Sequence, residues 1–319
     1  MSALDGVWRA RPTSQSPELP RAQPRYLLPE ARATYSAVMD EEIRGHYDAG
    51  YERERLAGGS SRIEFARTKE LLGRFLPSAP ASVLDVGGGP GAYAAWLADQ
   101  GYRVHLVDAS SLHVEQAAAA AGVGPSFTVE LGDARALTQE DSSWDAVLML
   151  GPLYHLTERE QRVRALEEAS RVVRPGGVVA GAAISRFASL LDGLDSGWLG
   201  DPAFDAIVER DLAEGQHRSP TDRPEWFTTA YFHHPDELRP EVEDAGLEFE
   251  ALLAIEGPGW LLWERWETPQ GRENIMRVAR AVEAEASLLG ASSPSSRDRP
   301  EAPLASVRPR PRRRRTVPG

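Results

Sequence analysis

Three aspartates and a run of glycines are the residues of this chain whose types and spacing best suit ligand chemistry. Residues 87–91 read Gly-Gly-Gly-Pro-Gly and follow the apolar segment SVLDV, which contains Asp85. Asp108 ends the next apolar segment, RVHLVD, and Asp133 follows a third, SFTVEL. Glycine lets a backbone approach a ligand without a Cβ clash, and a carboxylate accepts hydrogen bonds from hydroxyl and amino groups. The pattern therefore predicts a polar small molecule bound beside these three segments.

Strand and helix patterns alternate around these residues. The apolar segments predict strands at 82–86, 103–108, 126–131, 144–150 and 178–184, followed by a sixth at 247–257. Helix patterns separate them at about 91–99, 112–121, 158–173 and 235–245. The alternation predicts an α/β fold: a doubly wound, mostly parallel sheet with helices on both faces. Ligands of such sheets bind outside the carboxyl ends of the strands.

The glycine run alone fits a dinucleotide as well as other ligands. Gly87, Gly89 and Ala92 satisfy the G-x-G-x-x-G/A pattern, and Asp108 stands where dinucleotide folds place an acid. A dinucleotide site has no need of Asp85 inside the first strand or of the GDA triplet containing Asp133. These additional acids favour a different ligand.

The segments VLDVGGGPG, VHLVDAS, LGDAR, WDAVLMLGPLYHL and RVVRPGGVV occur in this order. Together they resemble the class I S-adenosylmethionine-dependent methyltransferases over roughly residues 36–260. The first half is similar to the small-molecule, quinone-biosynthesis-like branch. The resemblance implies a seven-stranded Rossmann-like sheet, S-adenosyl-L-methionine as the cofactor, and methyl transfer to an acceptor by direct displacement.

The resemblance also implies which residues hold the cofactor. Asp108 would accept from the ribose hydroxyls, Asp133 from the adenine amino group, and Asp85 would orient the glycine loop and the amino end. The other expected cofactor positions lie in the loops and in an N-terminal helix: Gly87, Gly89, Gly91, Ala109, Ala134, Leu150, Tyr47 and Arg55.

Candidates for catalysis and acceptor binding come later in the chain. Tyr154 and His155 follow the fourth strand; a histidine is a natural base near neutral pH, and a base is needed only if the acceptor loses a proton. The sequence is equally compatible with a structural role for His155. Expected acceptor-binding residues lie in a long insertion, 185–234: Arg186, Trp226, Tyr231 and His233. The three histidines His155, His233 and His234 have no carboxylates at metal-ligand spacing, so they do not predict a metal site.

Both ends of the chain differ from the segment between them. Residues 1–34 and 291–319 are rich in Pro, Ser and Arg, so we expect disordered tails around a methyltransferase domain at 35–290. The sheets of this family end with an antiparallel strand between the fifth and sixth. Only residues 303–307 could supply one, and proline flanks them. The last strand is therefore in doubt.

The composition limits the kinds of partner that we expect this chain to bind. The chain has no cysteine, which excludes a cysteine nucleophile and disulfides, and its net charge of −12 argues against binding a phosphate backbone. It has neither an apolar run of about 20 residues nor the apolar core of a signal peptide. We therefore expect a cytoplasmic enzyme with a small-molecule acceptor and no nucleic-acid or membrane partner. A protein or peptide methyltransferase and a non-catalytic cofactor-binding module remain alternatives.

Overall fold

A nine-stranded, mostly parallel sheet forms the centre of the structure, a computed structural model that describes residues 3–10, 41–48, 56, 58–59, 61–124, 126–219 and 223–291. Its strands are β1 (Ala3–Arg9), β2 (Ser82–Val86), β3 (Arg103–Asp108), β4 (Thr128–Leu131), β5 (Trp144–Met149), β6 (Val173–Ser185), β7 (Gln216–His217), β8 (Ala230–His233) and β9 (Glu248–Ala254). Seven of them follow the order β4-β3-β2-β5-β6-β1-β9. The predicted doubly wound α/β class is confirmed.

Helices connect and cover these strands. They are α1 (Glu41–Asp48), α2 (Ser61–Phe75), α3 (Ala92–Asp99), α4 (Ser111–Ala121), α5 (Pro152–His155), α6 (Arg159–Val172), α7 (Ala188–Ser196), α8 (Pro202–Glu214), α9 (Pro235–Asp244) and α10 (Pro269–Val282). Short 3₁₀ segments occupy Pro224–Trp226, Gly257–Glu267 and Leu289–Ala291. None of the helices in the described ranges is long and apolar enough to cross a membrane.

The two faces of β2 show how the sheet is covered. Successive strand residues point to opposite faces, and Leu84 packs in one buried cluster with Leu166 of α6. Val83 packs in another cluster with Leu97 of α3 and Ala117 of α4. Every residue of β2 is buried, and all of them are apolar except Ser82 at its start and Asp85. A carboxylate in such a strand requires an explanation, which the site provides.

The place between β6 and β9 is taken by β1, which is antiparallel to both. This is the place we expected a C-terminal strand to fill. The prediction of a disordered tail is therefore wrong for Ala3–Arg9, because the N-terminal segment completes the sheet. Residues 303–307 lie outside the described residues, as do residues 11–34.

A pair of glycines explains why β1 fits beside β6. Gly6 pairs with Gly181 in the register, and the indole of Trp8 lies over both. A Cβ at Gly181 would come within 2.6 Å of the indole, and a Cβ at Gly6 within 2.7 Å. Trp8 is fully buried in the same cluster as Leu153 of α5. The N-terminal strand therefore supports the helix that carries Tyr154 and His155.

The insertion after β6 is partly built into the sheet. It contains the helices α7 and α8 and the strands β7 and β8. β8 pairs in parallel with the end of β6, matching Phe232 with Ile184, and β7 pairs with β8. The insertion is thus fixed along the end of β6, close to α5.

Candidate active site

A cavity of about 410 Å³ opens at the carboxyl ends of the parallel strands. It lies where a doubly wound sheet binds its ligands. Both predicted catalytic residues and nine of the predicted cofactor positions line it: Tyr154, His155, Tyr47, Asp85, Gly87, Gly89, Asp108, Ala109, Asp133, Ala134 and Leu150. Arg55 lies outside the described residues, as does the neighbouring Tyr51.

The glycine loop joins β2 to α3 and forms one wall of this cavity. Gly87, Gly89 and Gly91 have φ values of 70°, 56° and 91°, a region that favours glycine. A Cβ at Gly89 would meet no atom within 4 Å, whereas one at Gly91 would come within 3.0 Å of Phe127. Gly91 is not among the residues that line the cavity. Gly91 lets the chain turn into α3 and packs against Phe127, and its expected cofactor role stays a prediction.

Asp108 ends β3 and organises the loops on both sides of it. One carboxylate oxygen accepts the backbone N–H of Gly89 at 2.8 Å, and the other accepts that of Ser110 at 2.8 Å. The second oxygen also lies 3.2 Å from Nδ1 of His113. The carboxylate that we expected to bind the ribose thus also holds the glycine loop in place.

Asp85 is the charged residue inside the fully buried strand β2. Its side chain is 1% exposed, and neither carboxylate oxygen has a hydrogen-bond partner in the part of the chain that the structure describes. Burial, and secondarily the charge of Asp108, raises the pKa of Asp85 to about 7. An unpaired buried carboxylate is costly. At the wall of a cavity it suits a ligand that brings a cation or an N–H donor.

Asp133 lies beyond β4 and is fixed by a neighbour that the sequence analysis did not select. The guanidinium of Arg135 donates to both carboxylate oxygens, from Nε at 3.0 Å and from Nη2 at 2.9 Å. Arg135 also donates to Gln161 of α6 at 3.1 Å. Both Arg135 and Gln161 line the cavity. The signal for Arg135 was its place in the GDAR segment, two residues after Asp133.

His155 has a polar partner on each ring nitrogen. Nε2 is hydrogen-bonded to the hydroxyl of Tyr47 from α1, and Nδ1 lies 3.4 Å from the carbonyl oxygen of Thr229 in the insertion. The ring of Phe227, also from the insertion, lies 6.0 Å from that of His155 between centroids. The structure therefore brings the N-terminal helix, α5 and the insertion together at His155.

Tyr47 connects this histidine with His113 and, through His113, with Asp108. Its ring makes edge contacts with His113, at 4.9 Å between centroids, and with His155, at 5.2 Å. His113 in turn contacts Asp108 and lines the cavity. His113 was not selected from the sequence, because a histidine in the first turn of a predicted helix carries no motif.

The four expected acceptor-binding residues do not line this cavity. The guanidinium of Arg186 donates to Glu237 at 2.7 Å and to the Phe232 carbonyl at 2.8 Å. The ring of Tyr231 lies 3.7 Å from the guanidinium of Arg162. The side chains of Arg186 and Tyr231 instead join β6 and β8 to α9 and α6.

The other two expected acceptor residues are buried structural groups. His233 is fully buried, with Nε2 3.3 Å from Glu241 of α9. Trp226 is 4% exposed in an aromatic cluster with Phe204 and Trp198. In their place, the insertion presents Phe227 and the carbonyl of Thr229 to His155.

Comparison with known proteins identifies the domain. Residues 83–177 match the family model described as a methyltransferase domain. The chain is 36% identical over 192 residues to the methyltransferase GfsG of Streptomyces halstedii, covering 59% of this chain and 60% of that protein. It is 26% identical over 151 residues to the O-methyltransferase resE of Aspergillus sclerotiorum, covering 46% and 56%. The chain thus spans less than two thirds of these relatives.

A solved structure similar to this chain is a SAM-dependent methyltransferase from Methanosarcina mazei, with 22% identity, a TM-score of 0.45, and coverage of 55% of this chain and 82% of that one. The family match and the curated relatives show that this chain contains a methyltransferase domain. It is of the S-adenosyl-L-methionine-dependent kind predicted from the sequence, and the dinucleotide alternative is set aside.

The residues of the cavity fit this cofactor. The ligand carries a positive sulfonium and an amino group, and the cavity wall contains the unpaired buried carboxylate of Asp85. The ligand has no pyrophosphate. The loop of Gly87 and Gly89 lies beside two carboxylates, Asp85 and Asp108, which would repel one. Asp108 and Asp133 provide hydrogen-bond acceptors for the other polar groups of the cofactor. The open side of Gly89 provides space for it.

Proposed function

We propose that this protein transfers a methyl group from S-adenosyl-L-methionine to a small-molecule acceptor. The observation that carries the proposal is Asp85, a fully buried carboxylate without a partner among the described residues, at the wall of a cavity with Asp108 and the glycine loop. The cofactor supplies an electrophilic methyl group on a sulfonium. The protein has to bind it, exclude water and hold the acceptor in line, since positioning supplies much of the acceleration of such a displacement.

The division of roles follows the two sides of the cavity. Asp85, Asp108, Asp133 and the glycine loop bind the cofactor. Tyr154 and His155 form the acceptor side, and Phe227 and Thr229 support His155 from the insertion. Asp85 in its charged form favours the sulfonium cofactor over the neutral thioether product.

Three features support a small acceptor. The cavity has a volume of about 410 Å³, in the range of sites for small molecules. The net charge of −12 opposes binding to nucleic acid. Among the relatives, resE is named an O-methyltransferase, which supports a hydroxyl oxygen as the methylated atom.

The experiment is an incubation of the full chain with isotopically methyl-labelled S-adenosyl-L-methionine and small-molecule extracts of an actinobacterial culture, followed by mass analysis. We expect a labelled product of low molecular mass and formation of S-adenosylhomocysteine. The Asp108→Ala chain is the control for extract-borne activity. Label found only in protein would support the peptide alternative. Cofactor binding without transfer to any fraction would support the non-catalytic module.

A further inference from the structure

The hydrogen bonds of His155 determine which ring nitrogen carries the proton. A backbone carbonyl only accepts, so the contact between Nδ1 and the Thr229 oxygen at 3.4 Å requires a proton on Nδ1. The neutral ring then has its lone pair on Nε2, which faces the hydroxyl of Tyr47. Tyr47 is therefore the donor in this pair and His155 the acceptor.

This arrangement changes which group meets the acceptor. The basic nitrogen of His155 is directed at Tyr47, and both side chains line the cavity. A phenolic hydroxyl that donates one hydrogen bond can still accept another. A substrate hydroxyl on the cavity side of Tyr47 could therefore donate to the Tyr47 oxygen, while Tyr47 donates to Nε2.

We propose that Tyr47 is a further catalytic residue, which carries the proton of a hydroxyl-bearing small-molecule acceptor to Nε2 of His155. The inference rests on the proposed function and deepens it. In the step, the acceptor oxygen uses an electron pair to form its bond to the methyl carbon, and the carbon–sulfur pair stays on sulfur. The acceptor proton moves to the Tyr47 oxygen as the Tyr47 proton moves to Nε2. The positive charge of the sulfonium thus ends on the imidazolium of His155.

The surroundings of Tyr47 fit this role. α1 holds the residue against the cofactor side through the ring contact with His113, which also contacts Asp108. Thr229 of the insertion holds the opposite side of His155. Tyr47 is 7% exposed, so the proton is transferred away from bulk water. A residue that only covered the cofactor would have no need of a hydroxyl aligned with a histidine.

The test uses the full chain as wild type, Tyr47→Phe, His155→Gln and the double variant. Tyr102→Phe is the matched control, because it removes a tyrosine hydroxyl bonded to the Pro77 carbonyl away from the cavity. Phenylalanine at position 47 keeps the ring contacts with both histidines. The readouts are turnover on the acceptor found in the extract assay, binding of S-adenosylhomocysteine by calorimetry, and the side-chain ¹⁵N signals of His155.

We expect Tyr47→Phe and His155→Gln each to lower turnover about 10²- to 10⁴-fold, the range of general acid–base catalysis, and the double variant to lose no more than the worse single variant. Affinity for S-adenosylhomocysteine should stay within about threefold, and Tyr102→Phe should match wild type in both assays. In Tyr47→Phe, the ¹⁵N chemical shift of His155 Nε2 should move towards the value of a ring nitrogen without a hydrogen bond. This measurement needs no substrate.

Full turnover of Tyr47→Phe, or losses that multiply in the double variant, would overturn the relay while leaving methyl transfer intact. An unmoved Nε2 signal would overturn it as well. Absence of transfer by the wild type in every extract would instead refute the proposed function, and the relay with it.

Discussion

The proposed cofactor side and the proposed acceptor side of the cavity differ in how their residues are positioned. On the cofactor side, Asp85, Asp108 and the glycine loop lie within or directly after parallel strands, whose neighbours fix them by register. On the acceptor side, Tyr47, His155 and Thr229 come from three elements far apart in sequence and meet through side-chain and carbonyl contacts. The sheet determines the position of residues at the end of a strand. The position of Tyr47, His155 and Thr229 depends instead on how the insertion and the N-terminal helix pack against α5.

This difference should appear in mutational data as a separation of binding from turnover. Substitutions on the cofactor side should weaken cofactor binding, and those around His155 should lower turnover without that loss. Four substitutions test the separation, in decreasing order of expected effect.

The largest effect is expected for His155→Ala. Loss of the group that receives the proton should lower turnover about 10²- to 10⁴-fold, with the dissociation constant of the cofactor unchanged. Steady-state kinetics on the extract-derived acceptor, together with calorimetric titration, measure the two quantities. Full turnover would reduce His155 to a structural residue and remove the acceptor side from this location.

Asp108→Ala should produce the reverse pattern, a loss of cofactor affinity. Two hydrogen bonds to a charged acceptor contribute about 1.5–3 kcal/mol each before water compensates, so we expect affinity to fall roughly 10- to 100-fold once it does. Asp108 also holds the N–H groups of Gly89 and Ser110, so the variant should melt at a lower temperature. Calorimetry and thermal unfolding distinguish these effects. An unchanged dissociation constant would exclude Asp108 from the cofactor site.

Asp85→Asn should change stability in a pH-dependent manner. The pKa of Asp85 is raised from 3.8 to about 7, so between these values the folded protein retains a proton that the unfolded chain releases. The free energy of unfolding therefore falls as pH rises through this window. The amide variant avoids that loss. Without cofactor it should be more stable than wild type by roughly 1–3 kcal/mol at about pH 8, with little gain at about pH 4.

Urea unfolding of both chains at the two pH values measures this difference. The same asparagine variant should bind S-adenosyl-L-methionine more weakly, because it offers no charge to the cation. A stability difference independent of pH would show that Asp85 is not a strained, titrating carboxylate.

The smallest effect is expected for Tyr231→Phe, which tests a residue predicted for the acceptor site and found elsewhere. Its hydroxyl donates to Glu237 at 3.1 Å and its ring stacks on Arg162, away from the cavity. We expect turnover and cofactor affinity within about twofold of wild type, and a loss of roughly 1 kcal/mol of stability from the missing hydrogen bond. A specific loss of turnover would return Tyr231 to the acceptor site.

The sequence predicted, for a physical reason, that Asp85, Asp108 and the glycine loop lie at one cavity. Asp108 ends a buried, apolar strand. The local sequence pattern therefore indicates that the segment is a strand, where the strand ends, and at which edge of the sheet Asp108 lies. The same reasoning predicted that His155 would emerge at the same edge of the sheet, because it follows β5, and it lines the same cavity. Gly91 was the exception, since a glycine that binds and a glycine that packs look alike in sequence.

The acceptor side could not be predicted in this way. Tyr231 and His233 stand in the short strand β8, whose pairing with β6 involves two residues of each and left no periodic signal. The sequence therefore contained no indication that the side chains of Tyr231 and His233 contact α6 and α9 instead of lining the cavity. The contact between Tyr47 and His155 joins residues 108 positions apart, and no local pattern indicates it.

The N-terminal strand has a consequence for the order in which the chain folds. β1 precedes its two partners, β6 and β9, by roughly 170 and 240 residues along the chain. Such non-local pairing slows folding, and until it forms, β6 offers an unpaired edge that favours aggregation. Joining of β9 to the sheet therefore waits until most of the domain has been synthesised, and loss of Ala3–Arg9 would leave β6 and β9 without the strand that pairs with both.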